Sequence, residues 1–254
     1  MSLSLFGYDN ILENASITAT SESIGFEAAN IADWLPYDWY SPSTLGTNYI
    51  NIDIGVAKEV DYFAIFSHDL GKSGATVKLQ YDNTGLGNWI DATTALTSDN
   101  GRVIFEKFSE VTKQIFRIEI VAPSALPMIG IVSIGKSMQM ENGLPSGFIP
   151  PHMGTQSDYV NNKSDSGLLL GRSLIRKSNG STIKAKYVTP AWVRSSWMPF
   201  LKHAEAKPFF FSWNHVDYPD EAVFCTTSKK ISPPVYSDSM YMSISLSVEA
   251  WHEL

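Results

Sequence analysis

The part of the sequence with the strongest potential for chemistry is Trp34-Leu35-Pro36-Tyr37-Asp38-Trp39-Tyr40, which places four aromatic rings in seven residues between two predicted strands. Rings on a loop can stack on the apolar face of a sugar, while nearby carboxylates or amides bind its hydroxyls. The candidate ligand-binding residues here are Trp34, Tyr37 and Tyr40. Trp34 and Tyr37 suit a sugar contact and a core position equally, whereas Trp39 suits the core better.

Three further side chains are candidates for the same binding rim. His68 and Asp69 follow a predicted central strand, and Trp89 follows a turn that begins at Asp82. The ring of His68 is equally suited to bonding a nearby backbone carbonyl. If the rim binds glycan, Trp34→Ala is expected to weaken glycan retention without unfolding the protein.

No residue pattern indicates catalysis. Gly130 to Ser137 matches the phosphate-binding loop, but its interior Ile-Val-Ser-Ile favours a strand and no helical periodicity follows. The five histidines lack metal-ligand spacing, and no Gly-x-Ser-x-Gly nucleophile motif occurs. Asp217, Asp220 and Glu221 surround Pro219, which is typical of an exposed turn. We therefore predict a protein that is not an enzyme, and a glycan hydrolase is disfavoured because paired carboxylates are missing.

Charge and cysteine content exclude several classes. The formal charge of −7 and the isoelectric point near 5.2 disfavour nucleic-acid binding, which needs a surplus of Lys and Arg. Cys225 is the single cysteine, so no disulfide forms within the chain, and its neighbours predict a buried strand position. The first residues make a poor signal peptide and no stretch is apolar enough to cross a bilayer. These features predict folding in a cytoplasm.

Short strands dominate the sequence pattern. In Tyr49 to Ile54 three isoleucines alternate with polar residues, and Val60 to Phe66 is a denser apolar run that predicts a strand buried on both faces. After a segment rich in Gly, Pro, Ser and Asn, strands resume and end in the alternating run Tyr241 to Ala250. Residues Ser195 to Lys207 predict one short helix with Ser196 as its cap and Pro199 in its first turn. The fold class is all-β: a first domain over 1–138, a linker or extended loop over 139–166, and a smaller β domain with one short helix over 167–254.

The first half resembles the discoidin family, also described as galactose-binding-like jelly rolls. The resemblance covers roughly residues 10 to 137 and rests on Ala15 to Thr20, Asn30 to Asp33, Trp39 to Ser41, Ile50 to Gly55, Val60 to Ile65, Phe116 to Ile120 and Ile129 to Gly135. It implies a β-sandwich that binds carbohydrate, lipid head groups or protein through loops at one end. It also implies a structural calcium ion, for which Asn30 and Asp33 are the candidate ligands.

A narrower resemblance is to minor tail and distal-tail-type proteins of long-tailed bacteriophages. Phe66 to Gly71 with Gly74 to Tyr81 carry it in the first half, and Pro208 to Trp213, Tyr218 to Cys225 and Met242 to Trp251 carry it in the second. It implies a structural subunit of a phage tail tip or baseplate, located in the virion, that forms a ring homo-oligomer and contacts other tail proteins and a host surface glycan. The alternative is a bacterial carbohydrate-binding module protein without a tail role.

Overall fold

The residues that the structure describes form two β-sheets, one continuous helical segment and several single helical turns. The computed structural model describes residues 3–98, 101–228 and 230–252. The strands are β1 (Leu5–Gly7), β2 (Ser16–Ala19), β3 (Gly46–His68), β4 (Thr76–Asp82), β5 (Trp89–Asp91), β6 (Ile104–Ala122), β7 (Ile129–Gly135), β8 (Met138–Gln139), β9 (Thr155–Lys163), β10 (Leu169–Val188), β11 (Phe209–Ser212), β12 (Val223–Thr227), β13 (Val235–Tyr236) and β14 (Met242–Trp251).

The helical elements are short. Single 3₁₀ turns span Ile11–Asn14, Ala28–Ala32, Pro151–Met153 and Pro219–Glu221, and one α-helical turn, α1, spans Leu70–Ser73. A continuous helical segment consists of α2 (Pro190–Trp192), a π-helical turn (Val193–Trp197) and α3 (Met198–Ala204). No helix in the described residues is long and apolar enough to cross a membrane.

The first sheet has the order β2-β3-β6-β4-β5, with β7 paired to β3. The long strands β3 and β6 pair along most of their length, but their register shifts between Asp53 and Lys58, where the sheet folds over, and again between Val60 and Tyr62. Apolar residues from both halves of β3, such as Ile52 and Ile65, lie in one buried core. The first sheet is therefore a sandwich of two layers. One layer has five strands, in the order β2-β3-β6-β4-β5. The other has three: β7, the second half of β3 and the first half of β6.

The second sheet has the order β8-β1-β11-β12-β14-β10-β9, with β13 paired to β14. The side chains of its strand β11 pack into two different cores, because successive side chains of a strand point to opposite faces. Phe209 and Phe211 face the helical segment, in a core that also contains Trp197 and Phe200. Phe210, between them, faces the sandwich.

A third core, the inter-sheet core, joins the sandwich to the second sheet. Phe66 of β3 stacks on Phe224 of β12 with ring centroids 4.5 Å apart, and Tyr62 stacks on Phe105. The full set is Leu5, Trp34, Tyr62, Ala64, Phe66, Val103, Phe105, Ile131, Phe210, Ala222 and Phe224. The second half of β3 is thus buried on both faces, which confirms the prediction from its dense apolar run.

The fold class is confirmed as all-β, with a jelly-roll sandwich in the first half and a smaller β domain with a helical segment in the second. The observed pairing differs from the predicted boundaries at two places. Strand β1 lies in the second sheet, between β8 and β11, although the first domain was predicted from residue 1. The predicted linker 139–166 contains β9, which pairs with β10.

The helix begins earlier than predicted. Thr189, not Ser196, is its cap: the Thr189 hydroxyl accepts the Trp192 N–H, and Pro190 occupies the first turn. Pro199 lies inside the segment instead of in its first turn. A proline lacks the N–H of a helical residue and crowds the carbonyl four residues earlier, and the π-helical turn directly precedes α3, where Pro199 lies.

The phosphate-loop pattern at Gly130 lies in strand β7, as predicted, and its glycines serve close packing. A Cβ atom on Gly135 would lie 1.8 Å from the carbonyl oxygen of Asp9, and one on Gly130 would lie 2.9 Å from Cβ of Ser67. The predicted burial of Cys225 in a strand is also confirmed, since it lies fully buried in β12.

The strands β9 and β10 extend beyond the body of the second sheet. From Asn179 to Val188, β10 pairs with β14, but residues before Asn179 pair with β9 and no other described strand. We call residues 155–178 the arm. At about 3.3 Å per residue the arm is roughly 30 Å long.

Candidate functional site

Trp34, the first aromatic residue of the loop, is part of the inter-sheet core and is 7% exposed. Its backbone has a positive φ of 64°, which turns the side chain inward to Phe210 and Phe224. The indole N–H donates to Oε1 of Glu13 at 2.7 Å. The prediction that Trp34 belongs to an exposed glycan rim is therefore wrong, because the second sheet covers its ring.

The other rings of the loop divide between core and solvent. Tyr40 is fully buried, so the prediction that it belongs to the rim is also wrong; its hydroxyl donates to the Ser21 carbonyl at 3.0 Å. The indole of Trp39 donates to Oγ of Ser67 at 2.9 Å. Tyr37 is 68% exposed and is the one ring of this loop that a ligand reaches freely.

His68 and Asp69 have structural partners. Nε2 of His68 lies 2.8 Å from the carbonyl oxygen of Arg102, which confirms the alternative interpretation for this ring. Nδ1 of His68 accepts the N–H of Leu70, so Nε2 carries the proton and donates to the carbonyl; burial lowers the pKa of the ring, which favours this neutral form. Oδ1 of Asp69 accepts the N–H of Met128 at 2.7 Å. Because His68 is buried, its ring is not available to a ligand at the predicted binding rim.

Trp89 does not share a rim with the aromatic loop. Trp89 pairs with Asp82 at the end of β4 where β3 and β6 fold over, whereas Tyr40 bridges to Ile129 at the opposite end of the sandwich. The six predicted rim residues are therefore not brought together. Tyr37 and Trp89 are the accessible aromatic members, and they lie at different ends.

The predicted calcium ligands take part in the hydrogen bonds of their own loop. The amide of Asn30 donates to Oδ1 of Asp38 and to the carbonyl of Trp39, both at 3.1 Å. Oδ1 of Asp33 accepts the N–H of Leu35, and burial raises the pKa of Asp33. Among the described residues, no three His, Cys, Asp or Glu side chains gather around a common point. Calcium binding by Asn30 and Asp33 stays a prediction.

The outer face of the five-stranded layer carries a second group of aromatic residues. The guanidinium carbon of Arg117 lies 4.3 Å from the ring centroid of Tyr49 and 4.1 Å from that of Trp89. These residues alternate with Ile50, Phe116 and other side chains of the sandwich core, so they project from the opposite face. Both rings remain partly exposed.

A chain of polar contacts extends from Arg117 across the same face. Nε of Arg117 donates to Oε1 of Gln80 at 2.6 Å, and Nε2 of Gln80 donates to Oδ1 of Asp91 at 2.6 Å. Nζ of Lys78 lies 3.2 Å from Asp91 and 3.3 Å from Glu119. We call this set the outer-face cluster; its members are Tyr49, Lys78, Gln80, Trp89, Asp91, Arg117 and Glu119.

The electrostatics of the outer-face cluster favour a fixed, neutral arrangement. Two cations and two carboxylates make its formal charge zero. The hydrogen bond from Gln80 lowers the pKa of Asp91, and the bond to Asp91 raises the pKa of Lys78, so both groups stay charged around neutral pH. Because each planar group has a partner, the side chains are held in place before any ligand binds.

Most of the outer-face cluster was missed at the sequence level. Trp89 was proposed, but for the wrong rim. The available signal was the alternation in Phe116 to Ile120 and in Thr76 to Gln80, which places Arg117, Lys78 and Gln80 on one outward face. The cluster spans four strands, and the proximity of its members depends on the register of β3 with β6 and of β4 with β5 and β6, which the sequence pattern does not reveal.

A polar groove of about 590 Å³ lies on the second sheet between residues 145–149 and β10. Serine and threonine hydroxyls line it together with the Arg176–Glu249 ion pair. The one ring among its described lining residues is Phe148, which packs against Phe211 and Trp213. It lacks an open aromatic face and is a weaker candidate for a sugar site than the outer-face cluster.

The carboxylates near Pro219 belong to the turn predicted for them. Oε2 of Glu221 accepts the indole N–H of Trp213, and Oδ2 of Asp217 accepts the amide of Asn214. Residues Pro219–Glu221 form a 3₁₀ turn. These contacts give the acidic group a structural role in the fold.

No protein-family model and no curated protein matches the chain. Several solved structures are similar over about half of it. A GH29 fucosidase of Ruminococcus gnavus in complex with fucose has a TM-score of 0.44 and 20% identity; the match covers 51% of this chain and 27% of the fucosidase. This chain thus matches about a quarter of that enzyme's length.

Two of the similar structures are separate binding modules. CpGH89CBM32-5 from Clostridium perfringens, solved with GalNAc-β-1,3-galactose, has a TM-score of 0.43 and 15% identity, and the match covers 49% of this chain and 97% of the module. Chitosan-binding module 1 of a chitosanase/glucanase from Paenibacillus sp. IK-5 has a TM-score of 0.42 and 19% identity, with 50% and 98% covered. At such low scores and identities, a function must be argued from this chain's own residues.

Proposed function

We propose that this chain is a carbohydrate-binding protein without catalytic activity, and that its sandwich binds a neutral sugar on the outer-face cluster. The observation that carries the proposal is the guanidinium of Arg117 between Tyr49 and Trp89, bonded to Gln80 beside the exposed carboxylate of Asp91. A pyranose ring needs an aromatic surface for its apolar face and planar polar groups for its hydroxyls. The outer-face cluster contains both on one face of the five-stranded layer.

The charge balance of the cluster defines the class of sugar. An acidic sugar would need a surplus of cations, but Lys78 is already paired with Asp91 and Glu119. A carboxylate and an amide that accept and donate hydrogen bonds suit vicinal hydroxyls. We therefore expect neutral mono- and oligosaccharides to bind better than uronic acids.

The test is binding of a panel of neutral and acidic oligosaccharides, measured by glycan array and then by calorimetry. Trp89→Ala is expected to weaken the best neutral ligand at least about tenfold, or about 1.4 kcal/mol. Tyr37→Ala is the matched control, because it removes an accessible ring at the other end of the sandwich. If Tyr37→Ala abolishes binding and Trp89→Ala does not, the sugar binds at the aromatic-loop end of the sandwich and not on the outer-face cluster.

A second candidate is the structural role in a phage tail tip or baseplate that the sequence resemblance implies. The observation that favours it is the arm, since a hairpin projecting from a sheet is suited to contact a neighbouring subunit. The test is mass spectrometry of purified tailed particles from a strain that encodes the chain. Stoichiometric recovery in particles would support a virion location, and absence would count against it.

A further inference from the structure

The arm exposes apolar side chains that the rest of the chain leaves uncovered. Leu174 and Ile175 of β10 are 57% and 66% exposed, and Tyr159 and Val160 of β9 are about half exposed. The three leucines at the tip, residues 168–170, are also exposed, and no arm residue belongs to one of the three buried cores. A two-stranded hairpin with such a surface is marginal in water by itself, so it needs a covering surface.

The charge of the arm region is opposite to that of the chain as a whole. Residues 155–178 contain four Lys or Arg and two Asp, whereas the full chain has a formal charge of −7. Lys163 and Lys177 are both exposed. A surface that covers the arm should therefore be acidic and partly apolar.

The sandwich of the same chain presents such a surface. Residues 22–38, which we call the acidic loop surface, contain four Asp or Glu and no Lys or Arg. Ile24 is fully exposed between Glu22 and Glu27, and the exposed ring of Tyr37 lies in the same segment. Hydrogen bonds from Ala28 to Glu22 and from Asn30 to Asp38 hold the segment in shape.

We propose that the arm of one copy docks on the acidic loop surface of a second copy of this chain. Basic and apolar side chains of the arm meet acidic and apolar side chains of the loops, so charge and hydrophobicity are complementary. The two surfaces are different patches, which makes the contact head-to-tail. Repetition of such a contact closes a ring or extends a chain of subunits.

The proposal is independent of sugar binding and is tested on the full chain by mass photometry and light scattering. The expected result is a species heavier than the 28.1 kDa monomer that dissociates as salt rises from about 0.1 M to about 1 M, because the screening length falls from about 10 Å to about 3 Å. Leu174→Thr with Ile175→Thr should raise the dissociation constant at least about tenfold. Val216→Thr, an equally exposed residue outside both surfaces, is the control.

A charge exchange identifies the partner surface. Lys163→Glu with Lys177→Glu should give a monomer, and so should Glu27→Lys with Ala29→Lys, which leaves the hydrogen bonds of the loop intact. Mixing these two variants should restore association as a 1:1 pair, because the unchanged arm of the second variant meets the unchanged acidic loop surface of the first. Circular dichroism verifies that each variant is folded.

A monomer at low salt and high concentration would overturn the proposal, as would an oligomer that the arm variants leave unchanged. Association that is lost in both charge variants but not restored by mixing would also overturn it, since the arm would then contact another surface. Sugar binding measured on the same samples separates this result from the proposed function, because Trp89 lies on neither surface.

Discussion

The two aromatic groups of the sandwich differ in what holds their rings. In the loop 34–40, Trp34 and Tyr40 are buried, and their polar atoms bond to Glu13 and to the Ser21 carbonyl. On the outer face, Tyr49 and Trp89 stay partly exposed and flank a charged side chain, Arg117. A high density of aromatic residues along the sequence therefore does not by itself indicate a binding surface. What matters is whether another layer of the fold covers them.

The largest effect is expected from Trp34→Ala. Removing this ring leaves a cavity in the inter-sheet core and takes one hydrogen-bond donor from Glu13, which keeps its ion pair with Lys207, so the free energy of unfolding should fall by roughly 3–5 kcal/mol. Urea unfolding monitored by circular dichroism measures this. A variant that is as stable as the parent and has lost only sugar binding would contradict the buried role of Trp34, because the ring would then act at a surface.

A smaller effect, confined to binding, is expected from Arg117→Met. Methionine keeps an unbranched apolar stem but removes the donor to Gln80 and the charge between the two rings. Sugar affinity should fall about tenfold, while stability changes by less than about 1 kcal/mol because the site is on the surface. Calorimetry and urea unfolding of the same sample measure the two quantities. A large loss of stability with unchanged affinity would make the cluster a structural element.

The two regions should also differ in their response to pH. Burial lowers the pKa of His68, so the unfolded chain binds the proton more tightly than the folded one. The stability linked to this residue is present above the unfolded pKa of about 6.5 and is lost as pH falls below it towards the folded pKa. Unfolding free energies at pH 7.5 and pH 5.5, about one unit either side of that value, should differ less in His68→Gln than in the parent.

Sugar binding should stay constant over the same pH range. The pKa of Asp91 is lowered and that of Lys78 is raised, so neither group changes charge there. Binding isotherms at the two pH values measure this. Affinity that declines together with stability would indicate that the site depends on the histidine-containing end of the sandwich.

The smallest effect is expected from Tyr37→Ala. Its ring is in solvent, so stability should change by no more than about 0.5 kcal/mol and sugar affinity should not change. Unfolding and binding measurements on this variant serve as the baseline for Trp34→Ala and Trp89→Ala. A destabilisation comparable to that of Trp34→Ala would show that the loop contributes to the core through more than its buried members.

The strand content, the sandwich of the first half and the burial of Val60 to Phe66 on both faces of the sheet could all be predicted from the sequence. These follow from local patterns, because alternation and apolar density depend on neighbouring residues alone. The interpretation of Gly130 to Ser137 as a strand followed in the same way. Helix limits were less accurate, since Thr189 and Ser196 are both acceptable caps and the packing of Trp197 and Phe200 selects the first.

Which aromatic residues are available to a ligand depends on the tertiary structure. Trp34 is buried because β11 and β12, more than 170 residues later, bring Phe210 and Phe224 against it. The outer-face cluster exists because the register of β4 with β5 and β6 aligns Gln80 with both Asp91 and Arg117. Both outcomes depend on contacts between residues distant in the sequence, and a pattern read over neighbouring residues does not contain that information.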